Sequence, residues 1–140
     1  MPDTARVLVV AHQTAATQPL LDAVRKRAQG GPVEFHLVVP RQPHGMDKVA
    51  NPHETGEEPA QAVLDDALPK LSEAAGGEVN GNLGDHEPLM AVEDALNQTG
   101  PYDEIIISTL PPGISRWLKL DLVSKVRAEG LPVTHVLPPD

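Results

Sequence analysis

The stretch STLPPGISR (108–116) sets three hydroxyls, a glycine and a guanidinium directly after the apolar run III (105–107). Ser108, Thr109 and Ser115 can donate to a phosphate or a ligand hydroxyl, and Arg116 can clamp an anion with paired N–H groups. Gly113 lets the backbone come close to a ligand. Each has a structural alternative. Hydroxyls bond nearby backbone, Ser115 suits a helix N-cap, Arg116 has many surface acids to pair with, and a turn after Pro111 and Pro112 needs a glycine in any case. His12, just after VLVVA (7–11), could act as a general base or bond a ligand, although a lone histidine at a strand end is more often structural. Asp85 could contact a ribose, but N-capping explains it equally well. Trp117 fits a core anchor better than a base-stacking platform, because it begins the apolar set Trp117, Leu118, Leu120.

The familiar catalytic constellations do not occur. The six histidines show no HxxxH spacing, and there is neither GxxxxGK[ST] nor GxGxxG. With no cysteine there can be no disulfide, thiolate metal site or cysteine nucleophile, which fits a reducing compartment. No catalytic residue, metal ligand or resident cofactor is assigned. The net charge of −9, without a basic stripe, argues against nucleic-acid binding but leaves room for a small anion held by local donors. The longest opening apolar run is too short for a signal core or a membrane span, so a cytoplasmic protein without membrane attachment is expected.

Positioning these groups requires buried strands. VLVVA (7–11) and III (105–107) are continuous and β-branched, as strands covered on both faces are. VEFHLVVP (33–40), EVNGNLG (78–84) and LPVTHVLPP (131–139) read as three more, the polar 78–84 segment suiting a sheet edge. Helices are expected over PLLDAVRKRAQ (19–29), PAQAVLDDALPKLSEAA (59–75), DHEPLMAVEDALNQT (85–99), RWLKL (116–120) and LVSKVRAE (122–129). In the second, Ala62, Val63, Leu64, Ala67, Leu68 and Leu71 make the apolar face, and Pro69 should kink it. Asp85, Ser115 and Asp121 are the expected N-caps of the last three. The polar, Pro- and His-rich 41–58 segment is a long connection, either solvated or functional.

The order β-α-β-α-β-α-β-α-β over residues 1–140 implies one domain with a single open parallel sheet and helices on both faces. Ligands of such sheets bind beyond the carboxyl ends of strands, where strand order reverses. Ala11, His12, Val39, Gly84, Asp85, Ser108, Thr109, Gly113, Ser115 and Arg116 are accordingly the candidate ligand-binding residues.

VLVVAHQT (7–14), NLGDHEPLMAVEDAL (82–96), DEIIISTLPPG (103–113) and LPVTHV (131–136) together resemble the universal stress protein family, a likeness covering nearly the whole chain. The resemblance implies an adenine-nucleotide alpha-hydrolase-like α/β fold, a five-stranded parallel sheet of order 3-2-1-4-5. It also implies a homodimer and either ATP binding or no nucleotide. The ATP-binding branch places an Asp where His12 stands. It also has Gly-x2-Gly, nine residues and Gly-Ser/Thr after the fourth strand, where this chain reads LPPGISRWLKLDLVS (110–124) with Gly113 alone and Asp121-Leu122 near the Gly-Ser position. Pro111 and Pro112 lack N–H groups, and Asp121 adds negative charge. ATP in the usual pose is therefore disfavoured, and another nucleotide pose or another small anionic ligand fits better.

The expectation is a non-enzymatic, universal-stress-like binding or stress-regulatory protein, dimeric through the last strand, VTHV (133–136). Two alternatives stand beside it. One is a hydrolase or transferase acting on a small phosphorylated substrate, with His12 as base and Arg116 as clamp. The other is a protein-interaction module centred on the 41–58 loop.

Overall fold

In the computed structural model, residues 4–12, 14–41, 59–110 and 115–137 are described. They form β1 (Ala5–Val10), α1 (Gln18–Gln29), β2 (Val33–Pro40), α2 (Pro59–Ala75), β3 (Asn80–Gly84), α3 (Pro88–Gln98), β4 (Glu104–Ser108), α4 (Arg116–Lys119), α5 (Leu122–Arg127) and β5 (Val133–Val136). The strands make one sheet in the order β3-β2-β1-β4-β5, with every pairing parallel. β1 is central, with Val10 level with both Val38 and Ile107.

The uninterrupted apolar runs follow from burial on two sides. Val7, Val9, Leu37, Val39 and Ile106 belong to one aliphatic layer with Leu20 and Val24 of α1 and Leu64 and Leu71 of α2. Leu8, Val10, Val38, Ile105 and Ile107 turn the other way, toward Val92 and Ala95 of α3 and Leu122 and Val126 of α5. Alternate residues of one strand thus serve opposite layers, and the runs Val7–Val10 and Ile105–Ile107 leave no position for a polar side chain. Trp117 and Leu118 pack at the margin of the second layer, the anchoring role expected of the tryptophan.

α2 continues through Pro69, which is exposed, to Ala75 as one helix. Its buried residues are Ala60, Leu64, Ala67, Leu71 and Ala74, spaced by four and three. Ala62 falls off that stripe and is exposed, contrary to expectation. β3 starts at Asn80 rather than Glu78 and lies at the sheet edge, as its polarity implied. Its last residue must be glycine. A Cβ on Gly84 would stand 2.7 Å from Ala91 Cβ and 2.8 Å from Val38 Cγ2, so this glycine sets how closely α3 approaches the sheet. Among the described residues, no helix is long and apolar enough to cross a membrane.

Candidate functional site at the carboxyl end of the sheet

The buried polar residues among the described positions are Thr14, Ser108, Thr109 and Ser115. All four carry hydroxyls, and all follow or end β1 or β4, the two strands where the order reverses. Burying a hydroxyl is unfavourable unless it is hydrogen-bonded, so each partner matters.

Thr14 Oγ1 and Ser108 Oγ are 2.6 Å apart and join the turn after β1 to the end of β4. Two hydroxyls contain two protons, and one bond between them uses one. The pair therefore keeps a donor for a third group. Thr14 is held in place by its carbonyl, which accepts from Thr17 N at 3.2 Å and Thr17 Oγ1 at 2.8 Å.

Thr109 lies on the other side of the strand end. Its Oγ1 is 3.0 Å from the Leu110 carbonyl and 2.8 Å from His135 Nε2 on β5. Both bonds form together when Nε2–H donates to Oγ1 and Oγ1–H donates to the carbonyl. Burial, then the positive Arg127, lowers the His135 pKa below its ordinary value of 6.5, which favours the neutral ring.

Ser115 is the N-cap of α4, as expected, its Oγ accepting from Leu118 N at 3.2 Å. Arg116 follows with its guanidinium 3.6 Å from Glu87, both half exposed. A pair that open is weakly held and can exchange for a ligand anion. Asp85 is not the N-cap of α3. That position belongs to Glu87, while Asp85 Oδ1 accepts from Glu87 N at 2.9 Å in an Asx turn that leads into the helix. Asp121 holds the N-cap position of α5 without a side-chain capping bond, in the left-handed conformation (φ 59°, ψ 37°).

Of the other candidates, Ala11 and Val39 are buried at the ends of β1 and β2, where only their backbone can meet a ligand. His12 is half buried at the end of β1. Gly84 and Asp85 lie further out, at the end of β3, where Gly84 O accepts from Arg41 N at 3.1 Å and Arg41 NH1 at 3.2 Å. A depression of about 220 Å³ runs from there along α3, lined by Arg41, Asp85, Asp94, Gln98 and Thr99 among others. Gly113 and the 42–58 part of the long connection lie outside the described residues. Among the described residues, no group of three or more His, Asp or Glu side chains is placed to hold a metal ion.

The sequence alone does not single out Thr14 or Arg41. Thr14 gains its meaning from Ser108, 94 positions away, and Arg41 from the neighbouring edge strand.

No protein-family model matches the chain, and no curated protein matches it. Solved structures match it over almost its whole length. A universal stress protein from Archaeoglobus fulgidus superposes with a TM-score of 0.64 at 19% identity, covering 95% of this chain and 94% of that one. A universal stress protein from the same organism, in complex with dAMP, gives 0.62 at 15% identity over 97% and 99%. A universal stress protein family protein from Arabidopsis thaliana with AMP bound gives 0.64 at 11% identity over 96% and 92%. At these identities the likeness establishes architecture, and with the sheet order it shows that this chain has the fold of the universal stress proteins.

Proposed function

We propose that the crevice beyond β1 and β4 binds a small anionic ligand of the adenine nucleotide class with few phosphates, and that the protein acts as a non-enzymatic, dimeric regulatory binder. The observation that carries this reading is the gathering of Thr14, Ser108, Thr109 and Ser115, buried hydroxyls all, at that one end of the sheet. Structural neighbours with dAMP and AMP bound support the ligand class.

The charge pattern favours a ligand with one phosphate. Arg116 is half exposed beside Glu87, and Asp85 and Asp121 stand on adjoining elements. A triphosphate would meet repulsion there without the glycine-supplied N–H groups that offset it elsewhere. Dimerisation is assigned to β5, an edge strand of the sheet.

Trp117 fluorescence tests the site. Titration with AMP should give a saturable change, ATP a weaker one, and Arg116→Ala should weaken AMP about tenfold, the loss expected for one charge-assisted contact. No saturable response to any nucleotide, together with no thermal shift, defeats the nucleotide reading.

A further inference from the structure

The opposite end of the sheet, at the amino ends of β1, β2 and β3, holds a second polar cavity of about 290 Å³. Arg6, Glu34, His36, Glu78, Asn80 and Tyr102 line it. Ligands of this fold class bind at the carboxyl end, so nothing in the nucleotide reading uses these residues.

Arg6 of β1 and Glu34 of β2 stand opposite each other in the parallel ladder. Oppositely charged side chains so placed are within reach of one another, and pairing would be the ordinary outcome. They do not pair. The Arg6 guanidinium instead lies 4.9 Å over the Tyr102 ring and donates from NH1 to the Pro101 carbonyl at 2.9 Å. Tyr102 is buried, so this platform is fixed. Its backbone is fixed as well, Arg6 N donating to Asp103 Oδ2 at 2.8 Å and Asp103 N to Arg6 O at 2.7 Å. Across the cavity, neither the Glu34 nor the Glu78 carboxylate takes part in a hydrogen bond or ion pair with any described residue.

One guanidinium and two carboxylates thus line the same cavity without forming an ion pair with one another. His36 Nε2–H donates to Asn82 Oδ1, which holds the ring. Asn80, level with His36, adds an amide to the lining.

We propose that this cavity binds a small zwitterion of the free amino acid class. The ligand carboxylate would take the guanidinium N–H groups that the Pro101 carbonyl leaves unused, and its ammonium would lie between Glu34 and Glu78. A cavity of about 290 Å³ with this polar lining has room for a small amino acid. Two charge-assisted contacts made at once by one rigid molecule explain why neither half should bind well alone.

The test is an amide-resolved NMR titration of the full chain with glycine, L-alanine and L-lysine, with acetate and methylamine as half-ligands. The expected result is saturable shifts at residues 6, 34–36, 78–80 and 102 for the amino acids, with both half-ligands about tenfold weaker or more. Glu34→Gln and Glu78→Gln are exposed substitutions that should keep the fold, and each should weaken amino acid binding about tenfold. No saturable shift, equal shifts from acetate alone, or unchanged affinity in both variants would overturn the proposal. Nucleotide titration reports on the other end of the sheet, so either site can fail while the other stands.

Discussion

Thr14 and Ser108 are 94 positions apart in the sequence, and their hydroxyl oxygens are 2.6 Å apart in the fold. This bond crosses the point where the strand order reverses and ties the connection between β1 and α1 to the end of β4. Ser108→Ala leaves the buried Thr14 hydroxyl without this partner and should cost about 1–2 kcal/mol in urea unfolding. Thr14→Val with Ser108→Ala removes both hydroxyls, and the pair should cost less than the sum of the single changes. Strict additivity would mean that the two side chains do not communicate.

Gly84→Ala probes the contact between the edge strand and α3. The new methyl would overlap Ala91 and Val38, so helix or strand must move. A loss of about 1–3 kcal/mol is expected, the usual range for overpacking a core. A neutral effect would show that α3 packs more loosely against β3 than its geometry implies.

His135 makes stability depend on pH in a defined direction. Its folded pKa lies below the ordinary 6.5, so below that value the unfolded chain takes up the proton more readily. The stabilisation from the neutral ring is complete above pH 6.5 and is lost as pH falls toward and through the folded pKa. His135→Gln keeps a donor for Thr109 without the titration. Melting temperatures of the two proteins should therefore follow different slopes below pH 6.5 and run parallel above it. Identical slopes throughout would remove His135 as the cause.

The dimer assignment has a test at Val133. The carbonyls of Pro132 and Val136 accept from Ile105 N and Thr109 N, so by the alternation of the ladder Val133 and His135 turn their backbone groups to the open edge. Val133→Pro removes one outward N–H and no ladder bond. Light scattering should show a dimeric parent and a monomeric variant. A monomeric parent, or a variant that stays dimeric, contradicts an interface through β5.

The buried strands were legible in the sequence because VLVV (7–10) and III (105–107) leave no polar position, which only two-sided burial tolerates, whereas the strand order came from the family resemblance. The edge position of β3 followed from its polarity for the same reason. Local patterns were less secure where two local solutions compete. Asp85 has the residue type and place of an N-cap, but an Asx turn uses the same oxygen two residues earlier. Ala62 is apolar, and apolar type alone does not fix which side of a helix it faces. Non-local pairs were not legible at all. Thr14 with Ser108, and Arg27 with Glu104 at 2.7 Å, join elements whose closeness arises only once the sheet is assembled. The carboxyl end of the sheet and the hydroxyls of Ser108, Thr109 and Ser115 could be read there from the expected topology, but the bond between Ser108 and Thr14 could not.

The central claim is that the carboxyl end of β1 and β4 holds a nucleotide with few phosphates. An amide-resolved NMR titration with AMP, repeated with ATP, tests it most directly. Saturable AMP shifts are expected at residues 11, 12, 14, 39, 108, 109, 115 and 116, with ATP binding more weakly at the same residues. Shifts elsewhere on the sheet, or none at either end of β1 and β4, would contradict it.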